Sequence, residues 1–146
     1  MTDYSEGITP WGIPSNDFHP LVWIVGKPQI GKATYIGGFS EVNAKDSHIS
    51  IGDNCDIASF VSINAADSHE ITIGVSASIK RRPIIIGNNV FIGSHCVILG
   101  GTEIGHNSVI GAGVVIRGEK IPPYSLVVAG ASEIKEGYYL SKVTEP

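Results

Sequence analysis

The chain has 146 residues, 42% of them hydrophobic and 16% charged, which suits one domain with a real core and excludes general disorder. A net charge of −4 argues against a nucleic-acid-binding surface, and no uncharged apolar run approaches the ~18 residues of a membrane span. The N-terminus lacks a basic stretch followed by an apolar one, so we expect no secretory signal and a cytoplasmic protein.

Residues 1–29 differ in composition from the rest of the chain. They hold both tryptophans, Trp11 and Trp23, and four of the eight prolines. We predict that this segment is an N-terminal cap, with one strand at Leu21–Val25, because the end of a solenoid needs a cover.

From Ile30 onwards, aliphatic residues recur at intervals of six. Alternating strands have a period of two and amphipathic helices one near 3.6, so a strict six predicts a short strand and a turn, repeated and stacked. The three runs are Ile30, Ile36, Val42; then Ile51, Ile57, Ile63; then Ile86, Ile92, Ile98, Ile104, Ile110, Ile116.

Two positions within each hexad have distinctive residue types. The fourth is usually Asn, His or Gly, which tolerate positive φ, so we predict a corner there: Asn54, Asn89, His95, Gly101, Asn107 and Gly113. The fifth is small or β-branched and is predicted to point inward: Cys55, Val61, Val90, Cys96, Thr102, Ser108 and Val114. We interpret both cysteines as small core residues on different faces, which do not form a disulfide.

The regular repeat is interrupted once and then ends. Between Ile63 and Ile86 the chain inserts 17 extra residues, predicted as a loop over 69–85. The sequence Ile121-Pro122-Pro123-Tyr124 ends the regular pattern, and residues 131–146 are predicted as a tail with a short helix over 131–140. The predicted organisation is therefore a cap at 1–29, a solenoid at 30–130 and the tail.

These hexads, and above all Ile86-Gly87-Asn88-Asn89-Val90-Phe91-Ile92-Gly93-Ser94-His95, resemble the hexapeptide-repeat acyltransferases of the sugar O- or N-acetyltransferase type. The resemblance runs from about Ile30 to Gly130. It implies an all-β, left-handed parallel β-helix in which three hexads form one coil of 18 residues, as the spacing of Ile86 and Ile104 allows. The left-handedness comes from the resemblance alone.

The resemblance also implies a catalytic residue at the interruption. A His at the start of such a loop acts in the family as general base, and His69 follows the last hexad of the second run. Imidazole accepts a proton near neutral pH, which suits this role. Asp67 or Glu70 would orient the ring, and Asp67 is preferred because side chains two apart share a face in an extended segment.

Further candidates concern the substrates. Lys80-Arg81-Arg82 is the basic cluster of an acidic protein, and we interpret it either as a phosphate-binding site or as a solvated surface. The predicted substrate-binding residues are Asn64, Glu70, Arg81, Arg82 and His95.

The family binds its acyl donor, acetyl-CoA, in a groove between neighbouring subunits, which implies a homotrimer. Small residues would let the donor's arm approach the backbone and offer amides to it or to the thioester oxyanion. Phe91 replaces the family's common Trp, and Lys135 matches a Lys that contacts CoA phosphate. The predicted donor-binding residues are Phe91, Gly111, Ala112, Gly113, Ala129, Gly130 and Lys135.

Three functions are weighed. The preferred one is direct transfer of acetyl from acetyl-CoA to a hydroxyl or amino group of a sugar, nucleotide-linked or part of a bacterial surface polysaccharide such as lipopolysaccharide. A γ-type carbonic anhydrase shares the β-helix, but its zinc site needs three histidines with two close together, and the gaps here, between His69, His95 and His106, do not match, so we expect no metal. The third is a non-catalytic trimeric scaffold. No nucleic acid or membrane partner is expected.

Overall fold

The computed structural model describes residues 10–130 and Glu136, and within them the chain forms short strands and one single-turn helix. The strands are β1 (Trp23–Val25), β2 (Gln29–Ile30), β3 (Tyr35–Ile36), β4 (Glu41–Asn43), β5 (Ile49–Ile51), β6 (Asp56–Ile57), β7 (Ser62–Asn64), β8 (Ala66–Asp67), β9 (Lys80–Arg81), β10 (Ile84–Ile86), β11 (Phe91–Ile92), β12 (Val97–Leu99), β13 (Glu103–Ile104), β14 (Val109–Ile110), β15 (Val115–Ile116), β16 (Lys120–Ile121) and β17 (Leu126–Val127). The helix α1 spans His69–Thr72.

Successive strands visit three parallel sheets in turn, which we call faces one, two and three. Face one holds β1, β4, β7, β12 and β15; face two holds β2, β5, β10, β13 and β16; face three holds β3, β6, β11, β14 and β17. Phe91 pairs with Val109, 18 residues further on, so one coil has the predicted length there. The chain therefore folds as the predicted β-helix, an all-β solenoid of five coils.

The hexad positions take the predicted environments. Except for Ile30, which is half-buried, every aliphatic residue of the three runs is at most 2% exposed. The seven predicted inward residues are buried as well, including Cys55 and Cys96, which are both free thiols. Where a glycine follows the aliphatic residue, the close stacking of coils explains it: a methyl group on Gly93 would lie 2.6 Å from the amide nitrogen of Ala112.

Each pair of faces meets at a corner where the backbone adopts positive φ. The first corner, between faces one and two, carries Gly26, Asp46, Gly101 and Gly118; the second, between faces two and three, carries Ala33, Asn54, Asn89, Asn107 and Tyr124; the third, between faces three and one, carries Phe39, Phe60, His95 and Gly113. The six predicted corner residues are confirmed.

The corners also hold bulky residues, although the sequence pattern predicts Asn, His or Gly there. Phe39 and Phe60 have φ of 65° and 61°, a conformation that costs an L residue roughly 1–2 kcal/mol. Their rings stack with centroids 5.0 Å apart, and Phe60 stacks at the same distance on His95. Stacking between coils offsets part of the backbone strain.

The predicted N-terminal boundary of the solenoid differs from the structure. Strand β1 lies in the predicted cap, yet it already pairs in parallel with β4, so the solenoid begins before Ile30. Residues 131–135 and 137–146 lie outside the described residues. They include Lys135 and all of the predicted helix except Glu136.

Candidate active site

The interruption is an ordered excursion from the first corner. The chain leaves face one after β7 and returns to face two at β10, so the excursion spans residues 65–83 and begins four residues earlier than predicted. Strands β8 and β9 pair antiparallel, joining Ala66 to Arg81 and Asp67 to Lys80. The amide of Arg82 donates to the carbonyl of Ala65 at 3.0 Å and closes the base. The pair of strands thus holds α1 at a defined position beside the solenoid.

His69 and Asp67 are in direct contact at the end of β8. The ring Nδ1 of His69 bonds to Oδ1 of Asp67, and the same oxygen accepts the backbone N–H of His69 at 3.2 Å. The contact arises from a turn at Ser68 and the start of α1, and not from the extended segment that the sequence predicted. With Nδ1 engaged as donor, the neutral ring carries its lone pair on Nε2 and can accept a proton there.

The carboxylate of Asp67 remains ionised beside this ring. The side-chain hydrogen bond from His69, with a smaller contribution from its backbone N–H, lowers the pKa of Asp67 below its ordinary value. About half of the Asp67 side chain and 63% of that of His69 are exposed. An ionised carboxylate at this place fixes the ring and stabilises the imidazolium that forms when Nε2 takes a proton.

Glu70, the alternative partner of His69, is engaged elsewhere. Its carboxylate accepts a hydrogen bond from Nζ of Lys80 at 2.6 Å, across the excursion. Arg81 also points to another contact: its Nε donates to the carbonyl of Lys45 at 3.0 Å, and its Nη2 lies 3.9 Å from Asp46. The three basic residues of the sequence cluster thus diverge, and only Lys80 and Arg82 line the groove described next.

A groove of about 640 Å³ lies between the excursion and the solenoid. The excursion contributes the segment Ala65–His69 with Thr72 and Ile73, the solenoid contributes Leu99 and Gly100, and the basic residues of the groove are Lys80, Arg82 and Arg117. Sequence reasoning did not identify Arg117. The signal was present, because Arg117 directly follows a face-one aliphatic, Ile116, and therefore sits at the corner from which the excursion leaves.

Four of the predicted donor-binding residues, Phe91 and Gly111–Gly113, lie away from the first corner. Phe91 is 40% exposed on face three, and Gly111, Ala112 and Gly113 follow at the third corner one coil later. The amide of Gly111 donates to Val127 O at 2.8 Å and that of Gly113 to Ser94 O at 3.0 Å. Both amides already donate to carbonyl groups of the solenoid, so the prediction that they donate to a ligand is wrong. What Gly111 and Gly113 can still offer is the lack of a side chain, which lets a ligand lie close to the backbone. Ala129 and Gly130 are exposed.

Two predicted substrate-binding residues have other contacts. The side-chain oxygen of Asn64 accepts the amide of Ala66 at 2.9 Å and turns the chain out of β7. His95 stacks on Phe60 at the third corner, and its Nδ1 lies 2.6 Å from Oγ of Ser94. Within one chain, His95 is therefore not brought to the groove that holds His69.

The three histidines of the zinc alternative lie at three different corners. His69 is at the first, His95 at the third, and His106 adjoins Asn107 at the second. Across residues 10–130 and 136, no three His, Cys, Asp or Glu side chains come close enough to hold a metal ion. In the same part of the chain, no helix is long and apolar enough to cross a membrane.

Three faces built from hexads and one ordered excursion define a hexapeptide-repeat β-helix protein. The family model described as bacterial transferase hexapeptide (six repeats) matches residues 83–118. The six-residue repeat continues on both sides of the matched segment, so the chain is similar to the hexapeptide-repeat proteins in sequence as well as in fold.

Particular relatives match more of the chain than that segment. Galactoside O-acetyltransferase of Escherichia coli is 41% identical over 104 residues, which are 69% of this chain and 49% of that protein. The bifunctional protein GlmU of Streptococcus equi is 31% identical over 127 residues, 82% of this chain and 26% of that one. A solved galactoside acetyltransferase in complex with coenzyme A superposes with a TM-score of 0.66 at 35% identity, over 77% of this chain and 56% of that one. The chain thus spans about half of the first relative and about a quarter of the second.

Proposed function

We propose that this chain is an acetyl-CoA-dependent acetyltransferase that acetylates a hydroxyl or amino group of a sugar. The observation that carries the proposal is the Asp67–His69 pair beside the groove at the first corner. A fixed imidazole with Nε2 free is the arrangement that general-base catalysis requires. The relatives whose names contain acetyltransferase, one of them solved with coenzyme A, support the same reaction class.

The proposed transfer is direct. Nε2 of His69 takes the proton of the acceptor's hydroxyl or amine as that oxygen or nitrogen forms a bond to the acyl carbon. The carbon–sulfur bond of the thioester then breaks, and the imidazolium returns its proton to the leaving thiolate, which yields CoA. Asp67 holds the ring and stabilises the charge on it between these steps.

The separation of the two sets of residues supports a homotrimer with shared sites. His69 lies at the first corner, whereas Phe91 and the segment Gly111–Gly113 lie on face three and the third corner, so a donor bound there would meet the base of a neighbouring subunit. Face three also exposes apolar side chains: Phe91, Val109 and Leu126 lie in three successive coils, and Tyr35 lies beyond Asp56 in the first coil. Sedimentation of the purified protein as a monomer would contradict this assembly.

The acceptor is proposed to be a nucleotide-linked or glycan sugar of a bacterial surface polysaccharide. Acetyl-CoA and nucleotide-linked sugars are both intracellular metabolites, so the proposed compartment is the cytoplasm. The residues do not distinguish a hydroxyl acceptor from an amine, and both belong in the assay.

The test is acetyl transfer by the purified full chain. Acetyl-CoA is offered with a panel of sugars and nucleotide sugars, and the free thiol of CoA is followed. We expect His69→Ala to lower kcat at least about 100-fold while the Kd for acetyl-CoA stays unchanged, because only the proton transfer is lost.

His106→Ala is the matched control, since His106 is an exposed histidine at another corner, and it should keep its turnover. Wild-type turnover in His69→Ala would refute the catalytic role of His69, whereas a wild-type protein that acetylates no acceptor of the panel would favour the scaffold alternative.

A further inference from the structure

The groove beside His69 is lined by more basic side chains than carboxylates. In a chain of net charge −4, its lining contains Lys80, Arg82 and Arg117 but a single carboxylate, Asp67. Asp67 is engaged with His69, and Lys80 is engaged with Glu70. The two arginines are thus the groove's uncompensated charges.

Neither guanidinium has a carboxylate partner within residues 10–130 and 136. The ion pairs of that region join His69 to Asp67, Lys80 to Glu70, Arg81 to Asp46 and Lys120 to Glu103. Glu119, two residues after Arg117, accepts the backbone N–H of Arg117. Arg81 differs from these two arginines, because its side chain bonds to Lys45 O and lies beside Asp46 within the same chain.

Arg82 is held in position by its backbone and by the glycines beneath it. Its amide is bonded to Ala65 O, and a methyl group on Gly100 would come within 3.2 Å of its Cβ. Its guanidinium lies over Gly101 and Gly118, where added methyl groups would be 3.5 Å and 3.7 Å from Nη1. The stem is thus packed against the solenoid, while the guanidinium carries no bond of its own there.

Arg117 lies at the same corner, because it directly follows the face-one strand β15. It precedes Gly118, the residue over which the Arg82 guanidinium lies, so the two side chains start from adjoining points of the groove. Two guanidinium groups that line one groove, neither of them paired with a carboxylate in the described part of the chain, are suited to an oxyanion, which arginine binds in bidentate fashion.

We propose that Arg82 and Arg117 bind a carboxylate or phosphate group of the substrate that His69 acts upon. The inference rests on the proposed function and deepens it, since it makes the preferred acceptor an acidic or phosphate-bearing sugar. The same chemistry is present in the phosphates of CoA, and the experiment separates the two sources.

The experiment measures binding by the full chain without turnover. Glucose 1-phosphate and glucuronate are each titrated against methyl glucoside as the neutral probe, and acetyl-CoA is titrated in parallel. The proteins are the wild type, Arg82→Gln, Arg117→Gln and the double variant. Lys32→Gln is the control, because it removes an exposed positive charge that lies near the second corner. Circular dichroism verifies that each variant is folded.

If the anion belongs to the acceptor, at least one acidic probe binds about tenfold or more tightly than methyl glucoside. Each arginine substitution then weakens it by about tenfold, as for a charge-assisted bond, while Lys32→Gln and the Kd for acetyl-CoA are unchanged. If the anion belongs to CoA, the same substitutions weaken acetyl-CoA instead, and the acidic probes bind no more tightly than the neutral one.

The proposal is overturned if the double variant binds every probe within twofold of the wild type, or if Arg117→Gln alone has no effect on any probe. This failure is separable from that of the proposed function. If the protein binds the anion through both arginines yet releases no thiol with any acceptor, the proposed function is contradicted and the anion site is still supported.

Discussion

The regular coils and the excursion at residues 65–83 differ in what holds their side chains. In the coils, aliphatic residues from successive turns lie in columns, and Ile63, Ile98 and Ile116 of face one are each 0–2% exposed. In α1 no residue is buried, and the contacts that define the excursion are polar: Asp67 with His69 and Glu70 with Lys80.

This difference explains where chemistry can develop in such a molecule. A coil residue is fixed by neighbours above and below it, so a substitution is felt along the whole column. An excursion residue touches few others, and its position depends on hydrogen bonds that the loop itself supplies. The solenoid therefore gives the loop a rigid base, and the loop carries ionisable groups that a close-packed coil would exclude.

The largest effect is expected from removing the excursion. Replacing residues 66–83 with one glycine brings Ile63 and Ile86 to a spacing of six and supplies a residue that accepts positive φ at the corner. We expect the chain to keep its β-helix by circular dichroism and to lose the proposed acetyl transfer to background, at least about 100-fold, because the proposed base, His69, is gone.

A variant with two glycines in place of one is the control for this design. It breaks the six-residue spacing, so we expect it to be less stable in urea than the single-glycine variant. Acetyl transfer retained by the single-glycine protein would contradict the assignment of chemistry to the excursion.

A smaller effect is expected when only the orientation of the proposed base, His69, is disturbed. Asp67→Asn removes the ionised partner of His69, and we expect kcat to fall by about 10- to 100-fold, less than the ~10⁴-fold of a buried triad, because this pair is exposed. The lowered pKa of Asp67 means that its charge is present above its usual titration range and is lost only when the pH falls below it. The loss should therefore be similar between about pH 6 and pH 9.

Asp46→Asn changes another carboxylate of the first corner and should leave kcat within about twofold. If the loss in Asp67→Asn instead varied strongly across that pH interval, Asp67 would not be the ionised partner described above.

The smallest effect concerns the strained corners of the coils. Phe60→Ala and Phe60→Gly both remove the stack on Phe39 and His95, but only glycine relieves the positive φ. We expect the glycine variant to be more stable than the alanine variant by about 1 kcal/mol in urea unfolding.

Val115, an exposed strand residue, gives the comparison an internal reference. There the order should reverse, with alanine more stable than glycine by about 0.5–1 kcal/mol. The same order at both sites would show that the corner at Phe60 is not under backbone strain.

The repeat made the fold predictable because one local rule applies at every coil. The six predicted corner residues, the inward fifth positions and the aliphatic columns are confirmed, and each follows from the hexad spacing alone. The rule failed where the corner residue was Phe39, Phe60 or Tyr124, since stacking between coils, such as that of Phe39 on Phe60, is a contact between residues 21 positions apart. The residue type at a single position does not reveal such a contact between coils.

The candidate site was predictable only in part. His69 and Asp67 were identified, and the structure brings them together, although through a turn into α1. The basic triplet is one cluster along the sequence, yet its members diverge in the structure, because Lys80 pairs with Glu70 and Arg81 bonds to Lys45 O. Arg117 was missed because it is 35 positions from Arg82 and shares only a corner with it.

The sequence by itself determined the coil, the burial of its aliphatic columns and the point at which the repeat is broken, because each of these depends on spacing along the chain. Only the tertiary structure decided which side chains meet at that point: Glu70 with Lys80, Arg81 beside Asp46, and Arg82 above Gly101 and Gly118. Those contacts depend on how the excursion folds back onto the first corner, and a loop without a repeating pattern leaves that path open until the chain has packed.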